Sequence, residues 1–446
     1  VHVVIVGAGE VGWYLAQRLG AENHDVVVVE QNEVIARALG EDLDVQTIVG
    51  NGATPSILRE AGADRAELFA GVTQNDEVNL ISALLAKDMG SKQTVVRLEN
   101  RELRGNAGQH LREAVGADLI IDPDADTAQE IIELVHVTGA DEVYPMATGD
   151  VVVIGAVVGE SSVLAGKDLA EIGPTREWPF IVGAVTKQGE TVIPRGRVVV
   201  NAGDHLRVLT SQDAQAETLE LLGVEQRKVS RVMVLGGGAV GFLVARQLQR
   251  EGAEVTLVER DHRRAVVLSE RLRWITVVEG DITDTELLRE ESVAAMDVVI
   301  AATGEDTANV LACAYAAAES DAFTVAVLHR LALLPLVRQF GIDAALSPRT
   351  ASANAVLQHM RGGTASVATF LESDVEVDEF VICPDCRADG ARVSDLHLPH
   401  TLLLAAVVRT DGSSEIVSGE TKLYAGETIV VFARPSGFTE IQQAFT

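Results

Sequence analysis

Residues 1–32, VHVVIVGAGEVGWYLAQRLGAENHDVVVVEQN, reappear as residues 230–261, SRVMVLGGGAVGFLVARQLQREGAEVTLVERD. Gly7, Gly9, Gly12 and Glu30 fall on Gly236, Gly238, Gly241 and Glu259 at a constant offset of 229. The match continues at an offset of 230, with VQTIVGNGAT against ITVVEGDITD and FAGVTQNDEVN against VIAATGEDTAN. Further on, GADLIIDPDA (116–125) corresponds to GIDAALSPRT (341–350). One residue of drift between the 229 and 230 offsets identifies a duplication.

The first part of each copy alternates short apolar runs (VVIV, DVVVVE) with stretches of 3.6-residue periodicity (VGWYLAQRL, EVIARAL, EVNLISALLAKDM). That pattern specifies a parallel sheet with helices on both faces. The second part turns to short Val-rich strands and Gly turns. There VIPRGRVVVNAGDHLRVLT aligns with EIVSGETKLYAGETIVVFA, setting Gly196 and Gly203 on Gly419 and Gly426. DADTAQEIIELVHV and RTASANAVLQHMR read as linking helices, with Asp126 or Ser347 near the N-terminal cap. The expected fold class is α/β: two doubly wound parallel-sheet domains, 1–139 and 229–363, each followed by a small α+β module, 140–223 and 364–446.

Each glycine loop follows a strand, opens a helix and is trailed by an acid 23 residues after its first glycine. This is the context in which GxGxxG binds a dinucleotide. Gly7 and Gly236 permit the tight turn. Gly9 and Gly238 remove a side chain where a pyrophosphate approaches, and Gly12 and Gly241 let helix and strand pack. Ala8 lies inside the first loop, and the N–H groups of Glu10, Val11 and Gly12, or of Ala239, Val240 and Gly241, would hold phosphate at the helix start. Glu30 and Glu259 would accept hydrogen bonds from an adenosine ribose and repel a 2′-phosphate, favouring NAD, NADH or an adenine nucleotide (ADP or ATP) over NADP. Arg260 stands ready for a 2′-phosphate, or is simply a solvated strand-end arginine.

The remaining loops at the carboxyl ends of the strands complete the expected cleft. Asn51, Gly52 and Ala53, with Gly280, Asp281 and Ile282, would border the adenine. Thr73, Asn75 and Asp76, with Thr303, Gly304 and Asp306, would close over it. Each reads equally as a capped βα turn. Arg97 would counter a phosphate or make a structural ion pair, and its repeat equivalent is Val327.

Composition narrows the function. Lys and Arg number 36 against 66 Asp and Glu, a formal charge of -30. Such a chain does not gather nucleic acid by releasing counterions. Only six of the basic residues are Lys and aromatics are 4%, a salt-adapted surface over an aliphatic core. The chain begins in a strand and has no apolar run of the roughly 18 residues a membrane helix needs. A cytoplasmic protein without a leader is expected. Three cysteines provide no disulfide framework. Cys383-Pro384-Asp385-Cys386 lacks a second pair for zinc and a thioredoxin-like surround. Asp374, Glu376, Asp378 and Glu379 read as a solvated strand face. His2, His24 and His136 read as surface or satisfied histidines, and the sequence offers neither catalytic residues nor a metal set.

These residues resemble the TrkA family, cytosolic regulatory subunits of the Trk potassium uptake system built of tandem RCK domains. The resemblance spans the chain: GAGEVG with Glu30, GNGAT, VTQNDE, VVRLEN, GGGAVG with Glu259, and GIDAALSPRTASANAVLQHMR. It implies RCK N-terminal and C-terminal lobes and a homo-oligomeric ring, a tetramer of such chains. The ring would sit peripherally at the inner face of the membrane under a potassium-translocating subunit and be set by NAD(H) or adenine nucleotides, with no enzymatic turnover. Some relatives carry an Arg inside the glycine loop, where this chain has Glu10 and Ala239, a departure that weighs against strong ATP preference. The alternatives are a regulator of another membrane transporter and an NAD-dependent oxidoreductase.

Overall fold

The computed structural model describes residues 1–100, 103, 106–146, 150–169, 180–194, 197–360, 367–369, 375–434 and 445. Two compact units emerge, Val1–Asp126 with Pro348–Gly363, and Thr127–Ser347 with Thr364–Thr446.

In the first unit the strands His2–Val6, Asp25–Glu30, Gln46–Val49, Leu68–Gly71, Gln93–Arg97 and Leu119–Ile121 are all parallel and lie in the order 3-2-1-4-5-6. Val3 to Val6 and Val26 to Val29 are buried along their whole length, as expected of a sheet covered on both faces. The order reverses between the first and fourth strands, which opens a crevice at their carboxyl ends. The helix Pro348–Met360, which follows the last parallel strand of the second copy in the chain, packs here against Glu10–Ala21.

The second unit repeats the sheet with Arg231–Leu235, Glu254–Glu259, Thr276–Glu279, Val298–Ala301, Phe323–Val327 and Ala344–Leu346 in the same order. Ala128, Ile131, Leu134 and Val135, from the helix Pro123–His136, share one core with Val240, Phe242, Val244 and Leu248 of the helix Ala239–Arg250. His136 meets Glu251 at 2.8 Å. The two linking helices begin at Pro123 and Pro348. Asp122 caps the first by accepting from Ala125 N–H at 3.0 Å, whereas Asp126 lies inside it. Ser347 immediately precedes the second.

The same unit carries two five-stranded antiparallel sheets. In spatial order the first runs Glu190–Val192, Phe180–Lys187, His205–Ser211, Val151–Val157, Glu142–Pro145. The second runs Val367–Thr369, Glu376–Val381, Thr428–Ala433, Leu402–Val408, Ser414–Ile416. They meet through Val151, Val153, Ala184 and Leu209 against Val375, Val377, Val430 and Phe432. A Cβ on Gly183 would stand 2.2 Å from Phe432 Cζ, so only glycine fits there. Gly203 and Gly426 turn with φ of +86° and +84°, as the aligned repeats require, while Gly196 lies outside the described residues.

One expectation is corrected. Glu376, Asp378 and Glu379 do not form a solvated face: each is at most 1% exposed. Their strand is paired on both sides. With Val375 and Val377 turned into the inter-sheet core, the opposite face is buried as well. Asp374 lies outside the described residues.

Candidate nucleotide-binding crevices

Each glycine has a distinct physical duty. Gly7 and Gly236 take φ of +107° and +110°, which an L side chain rarely adopts. A Cβ on Gly12 would lie 1.8 Å from Gly7 O, and one on Gly241 1.9 Å from Gly236 O, so these two allow helix and strand to close. A Cβ on Gly9 would meet nothing within 4 Å and one on Gly238 only Ala302 O at 3.7 Å, leaving open space beside each helix start. Gly9 and Gly238 are the N-cap residues, and neither helix is capped by a side chain. The first backbone N–H groups of Glu10–Ala21 and Ala239–Arg250 therefore remain available to an anion. Ala8, Val11 and Val240 are buried, so their side chains serve the core. Glu10 is ion-paired with Arg349 of the helix Pro348–Met360, which brings a guanidinium to the start of the helix Glu10–Ala21.

The two acids fasten the loops. Glu30 Oε2 accepts from Ala8 N–H at 2.8 Å and Oε1 from Asn32 N–H at 2.9 Å. Glu259 repeats this with Gly237 N–H at 3.0 Å and Asp261 N–H at 2.8 Å. A carboxylate has about four lone-pair sites, so each retains acceptor capacity for a ribose hydroxyl.

In the third-strand loops, Asn51 Oδ1 accepts from Ala53 N–H at 2.8 Å and Asp281 Oδ1 from Thr283 N–H at 2.9 Å. That backbone bond, with the Thr283 hydroxyl, lowers the Asp281 carboxyl. Two glycines here serve packing: a Cβ on Gly52 would lie 2.2 Å from Val6 Cγ1, and one on Gly280 2.1 Å from Leu287 Cδ2. Ile282 is buried.

The fourth-strand loops rest on two residues that sequence reasoning missed. Asn79 Oδ1 accepts from Thr73 N–H (2.9 Å) and Thr73 Oγ1 (2.6 Å), while its Nδ2 donates to Thr73 O and Arg97 O. Asn309 does the same for Thr303 and Val327 O. Both are wholly buried. Their coincidence at offset 230 was the available signal. Asn75 caps its helix by accepting from Val78 N–H. Asp76 turns towards the fifth-strand loop, accepting from Glu99 N–H and Asn100 N–H. Asp306 likewise accepts from His329 N–H and Arg330 N–H. Burial alone would raise Asp306, but these bonds bring it below the usual aspartate range. The site of Gly304 is open. Arg97 pairs with Glu99. Exposed Arg260 donates to Glu305 at 3.0 Å and lies 3.8 Å from Asp281.

Outside the crevices, Asp141, Glu142 and His205 bring ligand-type atoms within 4.8 Å of one another. Arginines share that cluster: Arg207 donates to Glu142 through Nε (2.7 Å) and Nη2 (2.8 Å), and Arg338 pairs with Asp141. Among the described residues no helix is long and apolar enough to cross a membrane.

A chain that twice joins a parallel glycine-loop sheet to a small antiparallel module is a tandem Rossmann protein. Family models agree: the TrkA-N domain matches residues 3–123 and 232–348, and the TrkA-C domain 153–223 and 377–446. The chain belongs to the TrkA family. It is 34% identical over 448 residues to the Trk system potassium uptake protein TrkA homolog of Archaeoglobus fulgidus, covering all of both chains. It is 28% identical to the Trk system potassium uptake protein TrkA of Haemophilus influenzae, over 99% of this chain and 98% of the other. Among solved structures, the GsuK channel bound to NAD superposes with a TM-score of 0.60 at 19% identity, over 99% of this chain and 78% of that one. The GsuK RCK domain gives 0.59 at 18%, over 99% and 94%. These likenesses concern the fold.

Proposed function

We propose that this chain is the regulatory subunit of a potassium uptake system. Its two crevices take NAD(H) or an adenine nucleotide and report occupancy to a membrane-embedded potassium-translocating partner. The observation that carries the reading is the pair of uncapped helix starts, each with open space at its second glycine and an acid bolted to its loop. The names of the TrkA relatives support the potassium system, and the NAD named with one GsuK structure supports the ligand class.

In this reading the nucleotide is an effector, not a reactant. Phosphates sit on the N–H groups at Glu10 to Gly12 and Ala239 to Gly241, and Glu30 and Glu259 receive the ribose. Chains assemble as a homo-oligomeric ring at the cytoplasmic face. A ligand shifts the ring only by its differential affinity for two arrangements, and a tenfold preference supplies about 1.4 kcal/mol per site.

Titration calorimetry in high salt with NAD, NADH, ADP and ATP tests this on the parent, Glu30→Gln and Glu259→Gln. Glutamine keeps one acceptor for the loop N–H but removes the charge. Each variant is expected to lose one class of sites or weaken it about tenfold, matching the loss of a charged hydrogen bond. Absence of binding by the parent would overturn the proposal. Consumption of NADH with a small carbonyl compound would favour the oxidoreductase reading.

A further inference from the structure

The nucleotide crevices leave Cys383-Pro384-Asp385-Cys386 unused. The pair follows the strand Glu376–Val381 and enters the loop that covers the second module's own core. Cys386 packs against that core, which includes Ile382, Ala388 and Phe445, yet both cysteines are only half-buried. Pro384 and Asp385 form a tight turn, which brings its two ends, Cys383 and Cys386, close together.

The surrounding backbone holds them there. Cys383 N–H donates to Phe445 O at 3.1 Å, and Asp389 N–H donates to Cys386 O at 3.1 Å. Asp385 turns the chain between them with φ of +62°. The Asp389 carboxylate accepts from Ala425 N–H at 3.0 Å, tying this loop to the turn before Thr428–Ala433. The third cysteine differs in every respect: Cys313 is fully buried on a helix of the second parallel-sheet domain, and burial pushes its thiol up to about 12.

We propose that Cys383 and Cys386 are a modification site that forms a reversible intramolecular disulfide by exchange with a low-molecular-weight disulfide. The Cys386 side chain pushes the Cys383 thiol up, so Cys383 enters the exchange second. Cys386 thiolate attacks one sulfur of the small disulfide; that S–S bond breaks, a mixed disulfide forms and one small thiolate leaves. Cys383, losing its proton, attacks the Cys386 sulfur, the internal S–S bond forms and the second small thiolate departs. Two protein thiols are thereby oxidised by two electrons. The small disulfide is reduced to two small thiols, which carry away the two protons.

The test equilibrates the full chain in buffers of graded oxidised-to-reduced glutathione ratio, traps free thiols with a maleimide and reads intact mass and peptide map. The expected product lacks two hydrogens, joins residue 383 to 386, leaves one reactive cysteine after denaturation, and reverts under excess reduced glutathione. Cys383→Ser should instead accumulate a glutathione adduct on Cys386, and Cys313→Ser should behave as the parent. Retention of both free thiols at every ratio would overturn the proposal. So would one glutathione on each of Cys383 and Cys386 with no internal bond.

Discussion

Arg260 Nη2 donates to Glu305 Oε1 at 3.0 Å, joining the end of the second strand to the loop after the fourth across the mouth of the second crevice. The corresponding positions in the first copy are Gln31 and Asn75, which carry no charge. Both partners of the pair are largely exposed, and such pairs are weakened by salt. At low ionic strength Arg260→Gln should therefore raise nucleotide affinity at the second crevice a few-fold. In molar salt it should change nothing, and the first crevice should be indifferent throughout. Calorimetry at two salt concentrations checks this; a loss of affinity that persists in high salt would instead assign Arg260 to direct ligand contact.

Glu142 and Arg207 form the buried counterpart. Arg207 is fully buried, and its guanidinium bonds Glu142 twice and Thr186 Oγ1 once. Removing one partner strands a charge in the interior at a cost of about 3–5 kcal/mol, whereas replacing both with apolar groups of similar volume is often near neutral. Glu142→Gln or Arg207→Met alone should lower the denaturation midpoint strongly. The double variant Glu142→Leu/Arg207→Met should recover most of the loss in chemical denaturation.

Beside that pair, Asp141 responds to acid. Burial alone would raise its carboxyl, but His205, Arg338 and Arg207 more than compensate and lower it below the ordinary 3.8. A folded value below the unfolded one gives stability that is complete above the unfolded value and disappears as pH falls through the folded value. The contribution of Asp141 should thus be constant near neutrality and be lost below pH 3.8. Thermal melts across that range should show Asp141→Asn less stable at neutral pH, with the gap to the parent narrowing as acid is added.

The sheets and glycine loops were legible because local pattern and repeat offset carried them: GAGEVG and GGGAVG each stand between a strand and a helix. What escaped depends on residues far apart in sequence. Arg338 and Asp141 are 197 positions apart, and no periodicity links them. The burial of Glu376 and Asp378 was invisible because alternation shows which residues share a face, not whether that face meets water. Asn79 and Asn309 looked like ordinary helix residues, although their side chains organise the loops over each crevice.

The glycines allow binding to be separated from folding. A Cβ at position 9 meets nothing within 4 Å, and Gly9 has φ of -65° and ψ of -176°, a conformation open to alanine. Gly9→Ala should leave the melting temperature unchanged while placing a methyl where, in the proposed reading, a pyrophosphate would approach, so nucleotide affinity at the first crevice should fall about tenfold or more. Gly12→Ala drives a Cβ to 1.8 Å from Gly7 O, a collision with backbone that no rotamer relieves. That forces helix and strand apart, so stability should drop by about 1–3 kcal/mol, the usual cost of overpacking, and binding should drop with it. Gly238→Ala and Gly241→Ala should reproduce the contrast at the second crevice. Unchanged affinity in Gly9→Ala and Gly238→Ala, measured on well-folded protein, would mean that no phosphate passes beside these loops.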